Sequence, residues 1–455
     1  MSNTDLAIVI LAAGVGTRME STLPKVLHPV AGRPMVGHIM DRVKRFGADL
    51  TVVVVGPEMR EVTEFVAPLD TVIQNTPLGT AHAVLATREL LEGKIRDVLI
   101  LFGDTPLLTE DTMRMMTEVR RRKNNPAAVV LGFTPDDPGE YGRLVVGKNG
   151  ELEKIVEYRD SNEEEKKISL CNAGIMAIDG KRLFNLLDDV DNDNAKGEFY
   201  LSDIVGICRT KGWGCVVVET DDPDEVMGIN SRTDLAQAEA AFQCRMRLTA
   251  MEQGCTLQDP DTVWFSHDTQ LGVDVVLGPN VVFGPGVKIG DNVEIRSFCH
   301  IEGATVEENA IIGPFARLRP GADIGRDTHI GNFVEIKEAR LERGVKANHL
   351  SYIGDSWVGA DANIGAGSIT CNYDGFNKNR TEIGPEAFIG SNTALVAPVT
   401  IGERAITGAG SVITKDVEAD ALAITRGPQE QRAGWALKYR IQKQKFLENK
   451  NKKSG

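Results

Sequence analysis

Aromatic residues are scarce in this chain: 15 Phe, 6 Tyr and 4 Trp make up only 5% of its 455 residues. Few large rings beside 46 glycines favour a repetitive, tightly turning β architecture over a layered helical one. Positive charge is also short, with 51 Lys and Arg against 65 Asp and Glu and a formal net charge of −14. That balance excludes the broad positive field of a general nucleic-acid binder, so any bound phosphate must be met locally by Lys, Arg and backbone N–H groups. The seven cysteines (Cys171, Cys208, Cys215, Cys244, Cys255, Cys299, Cys371) are scattered, odd in number and form no C-x-x-C pair. Neither a zinc site nor a disulfide framework is expected from them, only reduced, buried thiols. No apolar run approaches the roughly 20 residues of a spanning helix. A core strand begins almost at once, leaving no room for a signal peptide. A cytoplasmic protein with no membrane partner is therefore expected, of a length that calls for two or three domains.

Residues 1–230 alternate strand-like and helix-like segments. Leu6–Leu11, Thr51–Val55 and Asp97–Phe102 are apolar strand candidates, each followed by a glycine turn, and Pro34–Phe46 and Gly79–Leu91 have helical patterns between them. Strand–turn–helix alternation implies a Rossmann-like α/β domain with a mostly parallel sheet and ligands at the strands' C-terminal ends. Ser231–Gln253 lacks Gly and Pro and reads as one connecting helix, with Ser231 as cap and Asp234 three residues on. The expected organisation is a first domain over 1–232, a helical linker over 233–253 and a second domain over 254–455.

After Gly254 the period changes to six. Leu277, Phe283, Ile289, Ile295 and Ile301 fall at six-residue intervals, as do Ile312, Leu318, Ile324, Ile330 and Ile336, and later Ile383, Ile389, Leu395 and Ile401. Three hexads make a triangular coil, with one aliphatic per face pointing inward and small residues at the corners, and coils stack at roughly 4.8 Å. A parallel β-helix of hexapeptide repeats is expected. Two stretches break the register, Lys337–Tyr352 and Thr370–Arg380, and insertions in a solenoid loop out where function gathers. The first carries His349, the second Cys371-Asn372-Tyr373. Lys438–Gly455, with seven basic side chains and one acid, reads as a solvated tail or as a cationic arm near a phosphorylated ligand.

The most informative N-terminal stretch is Leu11-Ala12-Ala13-Gly14-Val15-Gly16-Thr17-Arg18-Met19 with Pro24-Lys25. Small residues after a strand let backbone N–H groups approach a phosphate or a base edge. No Gly-Lys-Ser/Thr follows, and Met19 stands where a dinucleotide fingerprint needs its third glycine. Arg18 and Lys25 are cations just beyond the loop, and Asp104 follows a buried strand in Phe102-Gly103-Asp104, a natural metal position.

These residues resemble the signature of sugar-phosphate nucleotidyltransferases, which join a sugar 1-phosphate to a nucleoside triphosphate and release pyrophosphate. Gln74 with Leu78-Gly79-Thr80-Ala81 is similar to the family's uracil-binding segment. Tyr141-Gly142-Arg143, Val156-Glu157, Asn172-Ala173-Gly174 and Gly228-Ile229-Asn230 match its sugar-binding and second metal positions in order. By this resemblance Leu11, Ala12, Ala13, Gly14, Lys25, Gln74, Gly79, Thr80, Gly103, Asp104, Gly142, Glu157, Asn172 and Asn230 contact the nucleotide sugar. Asp104 and Asn230 hold Mg²⁺, and Arg18 and Lys25 stabilise the charge that develops on the phosphates.

His349, in Ala347-Asn348-His349-Leu350-Ser351-Tyr352, is a candidate general base, since an imidazole near its ordinary pKa suits removal of a proton from an attacking amine. Its flanks, Pro314–Gly321 and Gly331–Lys337, resemble the acetyltransferase half of the bifunctional N-acetylglucosamine-1-phosphate uridyltransferase/glucosamine-1-phosphate acetyltransferases. That resemblance implies a left-handed β-helix. It assigns Arg319, Lys337, Tyr352 and Asn363 to glucosamine 1-phosphate, and Ala366, Asn372, Tyr373, Ser391, Ala409 and Arg426 to acetyl-CoA. It further implies UTP as co-substrate, a homotrimer with sites between neighbours, and direct acetyl transfer with no role for Cys371 as nucleophile. The segment from Gly254 to Ile312 departs from the family pattern in being about one coil short. The alternatives are a single-activity sugar-1-phosphate nucleotidyltransferase with a structural β-helix, and a catalytically dead scaffold. His349, Asn372-Tyr373 and Arg426 speak against the first, and retention of Lys25, Asp104, Asn230 and His349 against the second.

Overall fold

The computed structural model describes residues 4–451. The chain forms two compact units, one running to Thr269 with Phe283–Gly286, the other comprising Gln270–Val282 and the chain from Val287 onward.

The first unit is built on a sheet whose main path runs Cys215–Glu219, Ala128–Phe133, Cys171–Asp179, Ile95–Phe102, Thr4–Leu11, Leu50–Val55 and Asp70–Ile73. Thr4–Leu11 is parallel to both its neighbours, and Cys171–Asp179 is antiparallel to both of its own. The apolar runs are continuous because both faces of the sheet are covered. Ala7, Val9 and Leu11 pack on one side with Ala81, Val84 and Phe184, while Leu6, Ile8 and Ile10 pack on the other with Val36, Ile39 and Met113. Leu11 pairs with Val54 on one side and Phe102 on the other, so three parallel strands end at one level. The loops carrying Ala12–Gly16, Gly56 and Gly103-Asp104 therefore share one edge.

The helical pattern of Gly79–Leu91 is split into Thr80–Leu85 and Arg88–Leu91. The Thr87 hydroxyl, fully buried, donates to the Val84 carbonyl at 2.7 Å and ends the first helix there. The helix Arg232–Glu252 starts at a capping box in which Ser231 and Asp234 exchange side chain-to-backbone bonds. Its Ala238 and Phe242 bury against Val30, Met35 and Leu107.

The second unit is a parallel β-helix of hexapeptide repeats whose six-spaced aliphatics are its core: Leu277, Ile295, Ile301, Ile312, Leu318, Ile324, Ile330 and Ile336 are fully buried. The first break in register proves not to be an inserted loop. Glu335–Leu341, Lys346–His349 and Tyr352–Val358 are strands of the stack, with Glu335 paired to Tyr352 and Lys346 to Asn363, each 17 positions on. Tighter coils of this length also occur earlier, where Glu294 pairs with Ile311. A corner absorbs the missing residue and the ladder continues, so His349 ends a strand instead of sitting in a loop. The second break is a true insertion. Asn363 pairs with Phe388, 25 positions on, and the surplus forms a small hairpin bridged at Tyr373 and Lys378.

The cysteine expectation also needs amendment. Cys171, Cys208, Cys215, Cys255 and Cys299 are buried, but Cys244 is exposed and Cys371 only partly covered. The basic C-terminal segment is helical over Trp435–Asn451 and exposed over residues 435–449, and residues 452–455 lie outside the described residues.

Two candidate active sites

At the shared strand edge of the first unit, Lys25 is 8% exposed and its Nζ donates to Asp104 and, at 2.6 Å, to Asn230 Oδ1. Asn230 Nδ2 donates to the Gly228 carbonyl at 3.2 Å, which turns the amide oxygen inward. Two oxygen donors from segments 126 residues apart in sequence thus converge on one point that now holds an ammonium. The glycines here are steric. A Cβ on Gly16 (φ +74°) would lie 2.5 Å from Lys25 Cβ, and one on Gly79 (φ +114°) would lie 2.4 Å from the Phe199 carbonyl oxygen.

Lys25 and Asp104 line a cleft of about 280 Å³ together with Leu11–Gly14, Gln74, Gly79 and Thr80. Gln74, buried, donates from Nε2 to the Gly79 carbonyl at 3.0 Å, and the Thr80 hydroxyl accepts from the Leu201 N–H at 2.9 Å. Gly103 N–H donates to the Leu11 carbonyl at 2.9 Å, fixing the turn that presents Asp104.

A second cleft of about 610 Å³ is lined by Arg18, Tyr141, Glu157, Tyr200 and Asn230. Arg18 and Lys25 therefore face different clefts. Glu157 accepts from the Ser202 hydroxyl at 3.2 Å, and burial pushes its carboxyl above the usual range. Asn172 Oδ1 accepts from the Gly174 N–H at 2.9 Å, and its own N–H donates to the Gly142 carbonyl at 2.8 Å, joining two of the expected sugar positions. The buried guanidinium of Arg143 donates to the Pro138 and Gly139 carbonyls at 3.2 and 3.0 Å and fixes the loop. Ser202 and Asp203 adjoin Glu157 here, and Glu198 lines the first cleft, though nothing in their linear context marks them. The Asp203 carboxyl is pushed up to about 6 by burial and by Asp191, Glu157 and Asp160.

In the β-helix, four of the six expected acetyl-CoA positions fall on one corner of the stack, and Asn372 and Tyr373 lie off it, at the inserted hairpin. The His349 carbonyl accepts from the Gly367 N–H, that of Ala366 from Asn392, that of Ser391 from Gly410, and that of Ala409 from the Arg426 guanidinium at 2.6 Å. His349, Ala366, Ser391, Ala409 and Arg426 are thus successive rungs, spanning roughly 19 Å at the ~4.8 Å strand spacing. Asn363 starts the same strand row one coil above Lys346.

Around the corner lie the expected sugar-phosphate positions. Arg319 bonds Glu335 at 2.8 Å, and Lys337 pairs with Gly354 in the ladder and approaches Asp355 at 4.0 Å. Lys378, on the inserted hairpin, faces Lys337 and pushes its ammonium below the usual lysine range, a pair of cations suited to one dianion. Tyr352 Oη accepts from Asn372 Nδ2 at 3.4 Å, and the same amide donates to Asp355. Tyr373 is exposed, its hydroxyl donating to the Gly375 carbonyl at 2.7 Å. Lys378, Asp355 and Asn332, whose amide oxygen is 2.8 Å from His349 Nδ1, are not marked by the linear sequence.

The family description "MobA-like NTP transferase domain" matches residues 8–169, and "Bacterial transferase hexapeptide (six repeats)" matches 268–303, 303–338 and 380–415. The chain is 62% identical over 437 residues to the Bifunctional protein GlmU of Rhodospirillum rubrum, covering 96% of this chain and 98% of that one. It is 58% identical over 442 residues to that of Paramagnetospirillum magneticum, covering 97% and 98%. No helix among the described residues is long and apolar enough to cross a membrane. A nucleotidyltransferase unit, a hexapeptide-repeat unit and full-length likeness at this level lead to one conclusion: the chain belongs to the GlmU family of bifunctional transferases, which make UDP-N-acetylglucosamine by acetyl transfer and uridylyl transfer.

Proposed function

We propose that the β-helix corner acetylates glucosamine 1-phosphate and that the strand-edge clefts then uridylylate the product. The single observation that carries this reading is that each unit gathers its own chemical set. One has Lys25, Asp104 and Asn230 at a point; the other has a ladder from His349 to Arg426.

In the acetyl transfer His349 takes the amine proton as the nitrogen attacks the thioester carbonyl, so no acyl-enzyme forms. Arg319 and Lys337 hold the sugar phosphate, joined by Lys378, while Tyr352 and Asn363 orient the sugar. Ala366, Asn372, Tyr373, Ser391 and Ala409 line the acetyl-CoA arm and Arg426 meets a cofactor phosphate. A corner several rungs long suits the extended chain between a thioester and a nucleotide.

In the uridylyl transfer the sugar phosphate attacks the α-phosphorus of UTP in line, so positioning and charge neutralisation suffice. Leu11–Gly14, Gln74, Gly79, Thr80 and Gly103 cradle the nucleotide; Gly142, Glu157 and Asn172 read the sugar. Lys25 and Arg18 stabilise charge on the phosphates. Asp104 and Asn230 fit Mg²⁺: both are hard oxygen donors, and two protein ligands leave the other positions to phosphates and water. Bound there, the ion supplies charge neutralisation between the two phosphate groups.

The protein works as a homotrimer in the cytoplasm, with acetyl-transfer sites between neighbours. Support comes from the stacked rings of Phe298, Phe315 and Phe333, each about half exposed and each in a left-handed turn (φ 63°, 56°, 57°) that bulky residues rarely adopt. This exposed ladder runs up the corner toward His349.

The test is purified protein with glucosamine 1-phosphate, acetyl-CoA, UTP and Mg²⁺, following free thiol and pyrophosphate together. Release of both is expected. Pyrophosphate release with N-acetylglucosamine 1-phosphate but no thiol from glucosamine 1-phosphate would favour a single activity on a structural β-helix.

A further inference from the structure

We infer that Asn332 is a positioning residue for acetyl transfer, holding His349 in the tautomer whose Nε2 is free to accept the amine proton. The inference rests on the reading of His349 as the base. Asn332 and His349 close neighbouring parallel strands, His329–Asn332 and Lys346–His349, and are paired in the ladder. Asn332 Oδ1 lies 2.8 Å from His349 Nδ1. An amide oxygen can only accept, so Nδ1 carries the hydrogen and the lone pair is left on Nε2.

The pairing is enforced by the backbone. A Cβ on Gly331 would come within 1.9 Å of the Asn348 carbonyl oxygen, so only glycine lets the two coils close here. The His349 carbonyl is pinned by the Ser351 hydroxyl at 2.9 Å, leaving the imidazole as the free part of the residue. His349 is exposed, so burial cannot select its tautomer; a directed hydrogen bond can.

The charged surroundings are few. Lys346 lies on the same strand and His329 on the preceding coil, where Arg296, Glu294 and Lys346 act on it together with His349. The following coil presents Asn363, Ala366 and Gly367, and Glu335 on the next face is engaged by Arg319. None of these is a carboxylate hydrogen-bonded to His349, so the orienting group is the neutral amide of Asn332.

The experiment compares Asn332→Ala and Asn332→Asp in the full-length protein, with His349→Ala alongside, each checked for folding by uridylyl transfer, which should be unchanged. Asn332→Ala should lower kcat for acetyl transfer about 10- to 100-fold, the range for loss of an orienting partner, with KM for both substrates within about twofold. Asn332→Asp keeps an acceptor and should restore much of kcat, while its carboxylate favours the imidazolium and moves the acid limb of the pH profile to higher pH. Nitrogen chemical shifts should report Nδ1–H at His349 in the natural protein and loss of that preference in Asn332→Ala. Wild-type kcat in Asn332→Ala, or a loss without change in tautomer and in the Asn332→Asp pH profile, overturns the inference. If His349→Ala still acetylates, it is the reading of the base that fails instead; if only His349→Ala is inactive, Asn332 alone is misassigned.

Discussion

The two units solve the problem of binding a phosphorylated sugar in opposite ways. The α/β unit buries its chemistry: Lys25 and Gln74 are under one-tenth exposed, and the groups that meet arrive from distant strand ends. The β-helix displays its chemistry on the outside of a regular stack, with His349, Ser391, Ala409 and Arg426 all exposed. A sheet edge is concave, so one chain can exclude water around a developing charge, where fixed dipoles act most strongly. A solenoid corner is convex and orders residues in a line but encloses nothing. This difference is why the nucleotidyl site is proposed to be complete in one chain and the acetyl site to need a neighbour.

The comparison can be broken at four points, beginning with the largest expected effect. His349→Ala should reduce acetyl transfer by up to about 10⁴-fold, the span of general-base contributions, while UTP-dependent pyrophosphate release keeps its rate. Asp104→Ala should do the reverse, costing uridylyl transfer on the order of 10³-fold and altering its metal dependence, with thiol release untouched. Phe315→Asp should break self-association by placing a charge within the exposed ring ladder. Sedimentation should then find smaller species, and acetyl transfer should become dependent on protein concentration while uridylyl transfer does not.

The smallest effect concerns stability. Asp203 has its carboxyl raised to about 6 against an ordinary 3.8, so the folded chain holds that proton more tightly than the unfolded one. Stability associated with it is present below about pH 4 and is lost as pH rises through 6. Asp203→Asn removes the buried charge and should raise Tm by about 2–4 °C at pH 7.5 and by less at pH 4.5. An equal gain at both values would mean the carboxyl is not strained.

Much of both sites was legible because their chemistry is local. The strand, glycine turn and Asp104 are contiguous, and the six-residue spacing of the buried aliphatics needs no partner to be seen. What escaped depends on distances that spacing does not encode. A solenoid corner can drop one residue without losing its ladder, so Lys337–Tyr352 reads as a break in the sequence and is a 17-residue coil in the fold. Asn332 meets His349 only because consecutive coils stack in register, and Lys378 meets Lys337 only because a hairpin folds back over the face. Arg18 and Lys25 are only seven residues apart in the sequence, yet the intervening turns place them on different clefts.

The central claim is that two independent sites share one chain, and a mixing experiment tests it most directly. His349→Ala and Asp104→Ala proteins are each given glucosamine 1-phosphate, acetyl-CoA, UTP and Mg²⁺, alone and together, and UDP-N-acetylglucosamine is measured. Neither variant alone should form it, and the mixture should, through free N-acetylglucosamine 1-phosphate. Product from either variant alone, or none from a mixture in which each partner retains its single reaction, would contradict the account.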